Sequence, residues 1–231
     1  MNYAAIILCA GSGTRMKLGY NKMLLKIKDQ PLISLAIKPF LQDEKCAELI
    51  VVINETDLEV IEELLKKQIN NKPYKIVIGS YERQYSVYNG LQAVTQELVL
   101  VHDGARPFIT NTLISELVYN ANDYGCAIPG VKVKDTIKVV EEHFVKETLP
   151  RDILVAVQTP QACQTELLKN AHERAQEDNY LGTDEASLIE KYTDAKVKIV
   201  LSSYENIKIT TQEDLYYAEK LYDKYFKVSE E

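Results

Sequence analysis

Short apolar runs alternate with amphipathic segments along most of this chain. YAAIILC, ELIVVIN, YKIVIG and LVLVHD read as strands, and PLISLAIKPFL, LEVIEELLKKQI, YSVYNGLQAV and LISELVYNANDY read as helices. Near-continuous apolar strands separated by helices require a mostly parallel sheet covered on both faces, a doubly wound, Rossmann-like α/β fold. Ligands in such sheets bind beyond the carboxyl ends of the strands, so the loops after residues 9, 53, 79 and 103 are where a site is expected. After residue 131 the pattern changes to VKVKDTIKVV, EEH and FVKETLPRD, two alternating strands around a polar turn. An isolated hairpin is marginally stable in water, so this one is expected to pack on something, a second copy of the chain being the simplest candidate. Helices (CQTELLKNAHERAQ, TDEASLIEKY), a strand (KVKIVLS) and a closing helix from about Gln212 follow, with no internal repeat or linker. Residues 1–231 therefore read as one domain, with 131–157 as a β-arm excursion.

With 46% apolar residues the chain can bury a large core. Its 27 Lys and Arg against 34 Asp and Glu give a net charge of −7, which opposes binding to nucleic acid or an anionic membrane. Any polyanionic ligand must find a local cationic pocket. No apolar run approaches the ~20 residues of a membrane span, and the first ten residues lack a basic region and a cleavage site, so a cytoplasmic protein is expected. Cys9, Cys46, Cys126 and Cys163 are scattered, as are His102, His143 and His172, which indicates neither a zinc site nor a disulfide framework.

Three stretches and a set of shorter segments could carry chemistry. CAGSGTRMKLGYNKM is a glycine-bearing loop after the first strand, flanked by Arg15 and Lys22. Such loops wrap backbone N–H groups around phosphate, although the third glycine of a dinucleotide fingerprint and the G-K-[ST] of a Walker loop are both missing. In LVLVHDGARPF a strand ends at Asp103, a carboxylate placed to hold Mg²⁺ or to pair with Arg106. GSYERQYSVYNGL puts Arg83 beside a helix whose expected N-cap is Ser86, either a structural cap or part of an anion or nucleobase site. DTIK, PRD, QTPQ, GTDEAS and ENIKIT contribute Thr136, Arg151, Thr183, Asp184, Glu205 and Lys208, each of which could also be a cap, a turn residue or a surface charge.

Taken together, LCAGSGTRM, NKMLL, ERQYSVYNGL, VHDGARPF, DTIK, QTPQ, TDEAS and ENIKITTQEDL resemble the cytidylyltransferases of the isoprenoid pathway nearly from end to end. The resemblance implies attack by the phosphate of methylerythritol phosphate on the α-phosphorus of CTP, with release of pyrophosphate. A nucleophile that arrives ionised needs no triad, and catalysis reduces to alignment and charge neutralisation. Carried over, Arg15, Lys22 and Lys208 are the catalytic cations. Ala10, Gly11, Ser12, Gly13, Ser80, Tyr81, Arg83, Ser86 and Asp103 surround the nucleotide. Arg106, Thr136, Arg151 and Thr183 serve the acceptor, with Thr136 and Arg151 supplied by the partner of a homodimer through the 131–157 arm. Asp103 matches the Mg²⁺-associated aspartate, with Glu205 as a second metal-side carboxylate.

The chain departs from the family at Asn21, commonly Pro; at Met23, commonly Gln; at Ser80, often Gly; and at Tyr81, Asp in some members. Loss of the Pro removes a fixed φ before Lys22. Three alternatives stay open at this level: a ribitol 5-phosphate cytidylyltransferase, a non-catalytic nucleotide-binding homologue, and a nicotinamide oxidoreductase, which the absent glycine disfavours.

Overall fold

The computed structural model describes residues 1–11 and 21–226. The first half alternates as its periodicity requires. Strand β1 (Tyr3–Leu8), the short ribbon β2 (Lys26–Ile27) and β3 (Gln30–Pro31), helix α1 (Leu32–Gln42), β4 (Cys46–Ile53), α2 (Leu58–Gln68), β5 (Tyr74–Ile78), α3 (Arg83–Leu91), β6 (Leu98–Asp103) and α4 (Asn111–Tyr124) follow one another. β6, β1, β4 and β5 lie side by side, all parallel, with Ile6 opposite both Ile50 and Val101.

Both faces of this sheet are covered. Tyr3, Ala5 and Ile7 point into a core built with α1, α2 and α4, whereas Ala4 and Ile6 point into a second core built with α3. That alternation is the period of two of a strand, applied to a sheet with no wet face. Gly90 lets α3 press onto the sheet: a Cβ there would stand 3.0 Å from Ile6 Cγ2 and 3.1 Å from Val52 Cγ2.

The second half begins with β7 (Gly125–Lys132), β8 (Lys138–Glu141), β9 (Phe144–Thr148), β10 (Val155–Val157) and β11 (Gln161–Gln164). It closes with α5 (Thr165–Glu177), α6 (Glu185–Tyr192), β12 (Lys196–Leu201) and α7 (Gln212–Phe226). β11 runs antiparallel between β6 and β7, β10 pairs antiparallel with the end of β7, and β12 pairs parallel with β7. The sheet is thus mixed, with its parallel half holding the ligand end. α5 and α6 complete the second core through Leu168, Ala171, Leu188 and Ile189, and α7 adds Ala218 and Leu221 to the first. No helix among the described residues is long and apolar enough to cross a membrane.

Between Lys132 and Val155 the chain leaves the main sheet. β8 and β9 form a separate two-stranded ribbon. Glu142 and His143 turn it with φ of 48° and 70°, the left-handed pair that matches the twist of a tight hairpin. Part of the arm's apolar surface is left uncovered by the described residues: Phe144 on β9 and Ile153 after it are each 78% exposed.

Candidate active site

The carboxyl ends of β1, β4, β5 and β6 surround a cavity of about 440 Å³. Cys9 to Gly11, Asn54, Ser80 to Arg83 and Asp103 line it in that order, joined by Lys22 and Lys208. The four loops expected from the strand pattern therefore meet at one place.

Asp103 is its electrostatic centre. Lys208 Nζ donates to Oδ2 at 2.6 Å, Arg83 Nε to Oδ1 at 3.4 Å, and Arg106 Nε stands 4.0 Å from Oδ2. Burial alone would push the Asp103 carboxyl up, but the Arg83 and Lys208 charges outweigh it and hold it well below the usual carboxylate range. Asp103 is ionised at neutral pH, and the pocket remains cationic around it.

Two devices hold this arrangement. The first runs through His102, fully buried just behind Asp103. Its Nε2 lies 2.9 Å from the Arg106 carbonyl, which can only accept, so Nε2 carries the proton and Nδ1 accepts from the Thr159 hydroxyl at 3.1 Å. Thr159 Oγ1 in turn accepts the Asp103 N–H at 3.0 Å. Burial holds the imidazole neutral, its pKa brought down to about 4, so this relay keeps one polarity through the physiological range.

The second device is an ion pair between a half-buried arginine and a buried glutamate. Arg83, the first residue of α3, makes a forked contact with Glu185 at 2.7 and 3.1 Å. Burial would lower the Arg83 pKa, but Glu185 and Asp103 outweigh it and raise it above the ordinary value. Glu185 opens α6, whose start is fixed by Asp184: its Oδ1 accepts the Ser187 N–H while Ser187 Oγ accepts the Asp184 N–H, a capping box.

Lys208 comes from a loop about a hundred residues further along the chain, strapped to the Gly104–Arg106 turn. Ile209 N–H donates to the Ala105 carbonyl at 2.9 Å, and Arg106 Nη1 donates to the Asn206 carbonyl at 2.7 Å. Asn206 Nδ2 also donates to the Thr159 carbonyl at 2.9 Å. The turn needs Gly104, because a Cβ there would meet Cys9 Sγ at 2.8 Å, Met23 Sδ at 2.9 Å and the Leu8 carbonyl at 3.0 Å.

Several residues expected from sequence fall into place here. Lys22 lines the cavity and its Nζ donates to the Ile209 carbonyl at 2.8 Å. Ala10, Gly11, Ser80 and Tyr81 line it too. Positive φ among described non-glycine residues occurs at Lys28, Glu142, His143 and Asn179, so Ser80 stands where Gly is frequent without strain. Ser12, Gly13 and Arg15 lie outside the described residues.

Other expectations need correction or are placed elsewhere. Ser86 is not the N-cap of α3, which starts at Arg83 with Glu82 before it. One turn inside, the Ser86 hydroxyl instead accepts the Ser80 N–H at 2.9 Å and lies within donating distance of the Ser80 and Glu82 carbonyls, pinning the loop. Glu205 is not brought to Asp103: its carboxylate accepts from Lys224 Nζ and Tyr225 Oη of α7. Thr183 is exposed just before the Asp184 cap and outside the cavity lining. Thr136 and Arg151 are exposed on the hairpin arm, where Arg151 Nη1 donates to the Lys134 carbonyl at 2.8 Å. Among the described residues no group of three or more His, Cys, Asp or Glu is placed to hold a metal ion. His102, Thr159 and Glu185 were not singled out as site residues from the sequence; they sit in the motifs VHDGARPF, QTPQ and TDEAS, and only the tertiary fold shows Thr159 touching His102 and Glu185 touching Arg83.

A family model described as 2-C-methyl-D-erythritol 4-phosphate cytidylyltransferase matches residues 3–224. A protein of that name from Geobacillus kaustophilus is 48% identical over 222 residues, 96% of this chain and 97% of its own. Another from Halalkalibacterium halodurans is 45% identical over 96% of this chain and 97% of its own. Among solved structures, 4-diphosphocytidyl-2C-methyl-D-erythritol synthase from Anaerococcus prevotii superposes with a TM-score of 0.84 at 32% identity, covering 95% of this chain and 97% of the other. The 2-C-methyl-D-erythritol 4-phosphate cytidylyltransferase of Thermus thermophilus gives 0.78 at 28% identity, covering 96% and 98%. The match spans both the cavity and the arm, and on it the chain belongs to the 2-C-methyl-D-erythritol 4-phosphate cytidylyltransferase family.

Proposed function

We propose that the cavity at the strand ends carries out this family's reaction with the residues named above, and that the arm completes it from a second copy. As a member of the family, the chain transfers a cytidylyl group from CTP to 2-C-methyl-D-erythritol 4-phosphate, giving CDP-methylerythritol and pyrophosphate in isoprenoid precursor synthesis. The acceptor's phosphate oxygen forms a bond to the α-phosphorus, and the bond from that phosphorus to the bridging oxygen of pyrophosphate breaks. No proton has to be removed from the nucleophile, so the protein's task is to align two anions and neutralise the charge that builds up between them.

The observation that carries this reading is the cationic ring around an ionised Asp103. Lys22 and Lys208 are directed at the triphosphate, with Arg15 as their companion; Ala10, Gly11 and the Ser80–Arg83 loop take the base and ribose; Arg106 receives the acceptor phosphate. Mg²⁺ fits the donor set in one way only. Asp103 offers a single ionised carboxylate with lone pairs beyond those used by Lys208 and Arg83, which suits an ion that takes one or two carboxylates and completes its shell from substrate phosphates. When bound, the ion supplies further neutralisation of the triphosphate. Glu205 is committed to α7 and is not assigned to it.

Thr136 and Arg151 stand on an exposed arm with uncovered apolar side chains, which supports a homodimer in which each arm reaches the other chain's acceptor pocket. The test is Mg²⁺-dependent pyrophosphate release from CTP, comparing methylerythritol phosphate with ribitol 5-phosphate. Turnover with the first and background with the second is expected. The reverse would replace the acceptor assignment, and background with both would leave only a nucleotide-binding protein.

A further inference from the structure

Beside the cavity, one buried amide joins three segments that are far apart in sequence. Asn21 is 7% exposed. Its Nδ2 donates to the Cys9 carbonyl, just past the end of β1, at 3.1 Å and to Asp57 Oδ2 at 2.6 Å, while its Oδ1 accepts the Met23 N–H at 2.9 Å. An asparagine amide has two donor hydrogens and one acceptor oxygen, and all are in use. The bond to Asp57 is short and charge-assisted. Asp57 itself closes a single 3₁₀ turn after β4, where Asn54 Oδ1 accepts the Thr56 N–H at 3.1 Å.

The partner of this amide in sequence is Lys22. Asn21 caps a second single 3₁₀ turn, Lys22–Leu24, whose two backbone bonds run from Leu24 N–H to the Asn21 carbonyl and from Leu25 N–H to the Lys22 carbonyl, both 3.0 Å. One turn of 3₁₀ helix has too few hydrogen bonds to hold its own direction. Here it is tied at one side to the end of β1 and at another to the end of β4. Met23 wedges its core side beneath Gly104 at the end of β6. Asn21 has φ of −62° and ψ of 125°, an extended conformation that its three side-chain bonds hold without a ring.

We propose that Asn21 and Asp57 form a clasp that positions Lys22 for the nucleotide phosphates, acting through the turn without touching substrate. This rests on the assignment of Lys22 to the triphosphate. The clasp explains why an acidic residue on a surface turn points inward to a buried amide, and it makes Asp57 a determinant of CTP binding though it carries the wrong charge to meet a phosphate.

The experiment reads KM for CTP and for methylerythritol phosphate separately. Asn21→Asp places two carboxylates at the same short contact and should raise KM for CTP about tenfold or more while leaving the acceptor's KM within twofold. Adding Asp57→Asn restores a donor–acceptor pair between the two positions and should recover most of that loss. If Asn21→Asp does not fold, as judged by its melting curve, Asp57→Ala alone is expected to raise KM for CTP severalfold with the acceptor's KM unchanged. A wild-type CTP KM in these variants, equal rises in both KM values, or no recovery in the double variant would overturn the clasp. Failure of the underlying assignment would show differently: Lys22→Ala, which leaves Asn21 and Asp57 intact, would then keep wild-type kinetics.

Discussion

The Asp103 cavity and the β8–β9 arm are built on opposite principles. Around Asp103 the polar groups are buried or half-buried and engaged: Lys208 and Arg83 hold Asp103, Arg83 holds Glu185, and Thr159 joins Asp103 to His102. On the arm, the Arg151 guanidinium donates to the Lys134 carbonyl 17 residues away, and Phe144 and Ile153 stand out in solvent. On the proposed function, the described part of the nucleotide half is thus held in place by bonds within one chain. The proposed acceptor half would be completed by a second copy that covers the arm.

The comparison can be broken from either side. Lys208→Ala should have the largest effect, a fall in kcat of about a hundredfold or more with folding intact, because a positioned cation is lost and Asp103 faces the triphosphate with only Arg83 and Arg106 beside it. Unchanged kcat would remove Lys208 from the reaction. Ile153→Asp puts a charge into the proposed arm contact. Sedimentation should show a monomer, and acceptor-dependent turnover should fall more than tenfold while CTP binding persists. A fully active monomer would show that each chain holds a complete site.

Arg151→Ala should raise KM for the acceptor by about tenfold and leave KM for CTP alone, since a charged hydrogen bond to phosphate is lost without loss of the cavity. The opposite pattern would assign Arg151 to the nucleotide. The smallest effect concerns stability and belongs to the buried half. His102 and His172 are both held neutral, their pKa values brought down to about 4, by burial in each case and for His172 also by the Arg83 charge. The unfolded chain takes up protons near pH 6.5 and the folded chain does not, so each contributes stability that is full above about 6.5 and is lost as pH falls towards 4, of the order of 3 kcal/mol per residue. Neither His172 ring nitrogen has a hydrogen-bond partner among the described residues, so His172→Leu should flatten this slope in urea melts between pH 7 and 5 without lowering stability at pH 5. An unchanged slope would contradict it.

What could be read from sequence follows the range of the interaction. The doubly wound sheet was legible because β1, β4 and β6 are apolar on both faces and α2 has its own helical period, both local signals. The turn of the hairpin was legible in EEH. β10 and β11, three and four residues long, carry no period of their own and enter the sheet because β7, and for β11 also β6, is there to pair with. Ser86 looked like a cap because serine favours that position, and the backbone began its helix three residues earlier. The family resemblance implies a metal-side carboxylate at Glu205, whereas its side chain is bonded to Lys224 and Tyr225 on α7, a contact between separate segments that the sequence does not display. The missing Pro at position 21 looked like a loss of rigidity; Asn21 recovers it through bonds to Cys9 and Asp57 that lie 12 and 36 residues away.

The central claim, a nucleotide half within one chain and an acceptor half borrowed from its partner, is tested most directly by mixing two impaired variants and assaying at an acceptor concentration well below the wild-type KM, where Arg151→Ala keeps about a tenth and Lys208→Ala about a hundredth of wild-type turnover. Lys208→Ala and Arg151→Ala, unfolded together at equal concentration and refolded, should form heterodimers in which one of the two sites carries both lesions and the other carries none. Random pairing then restores about a quarter of wild-type activity, above either parent alone. A mixture no more active than the average of its parents would place both residues in the same site of the same chain and contradict the account.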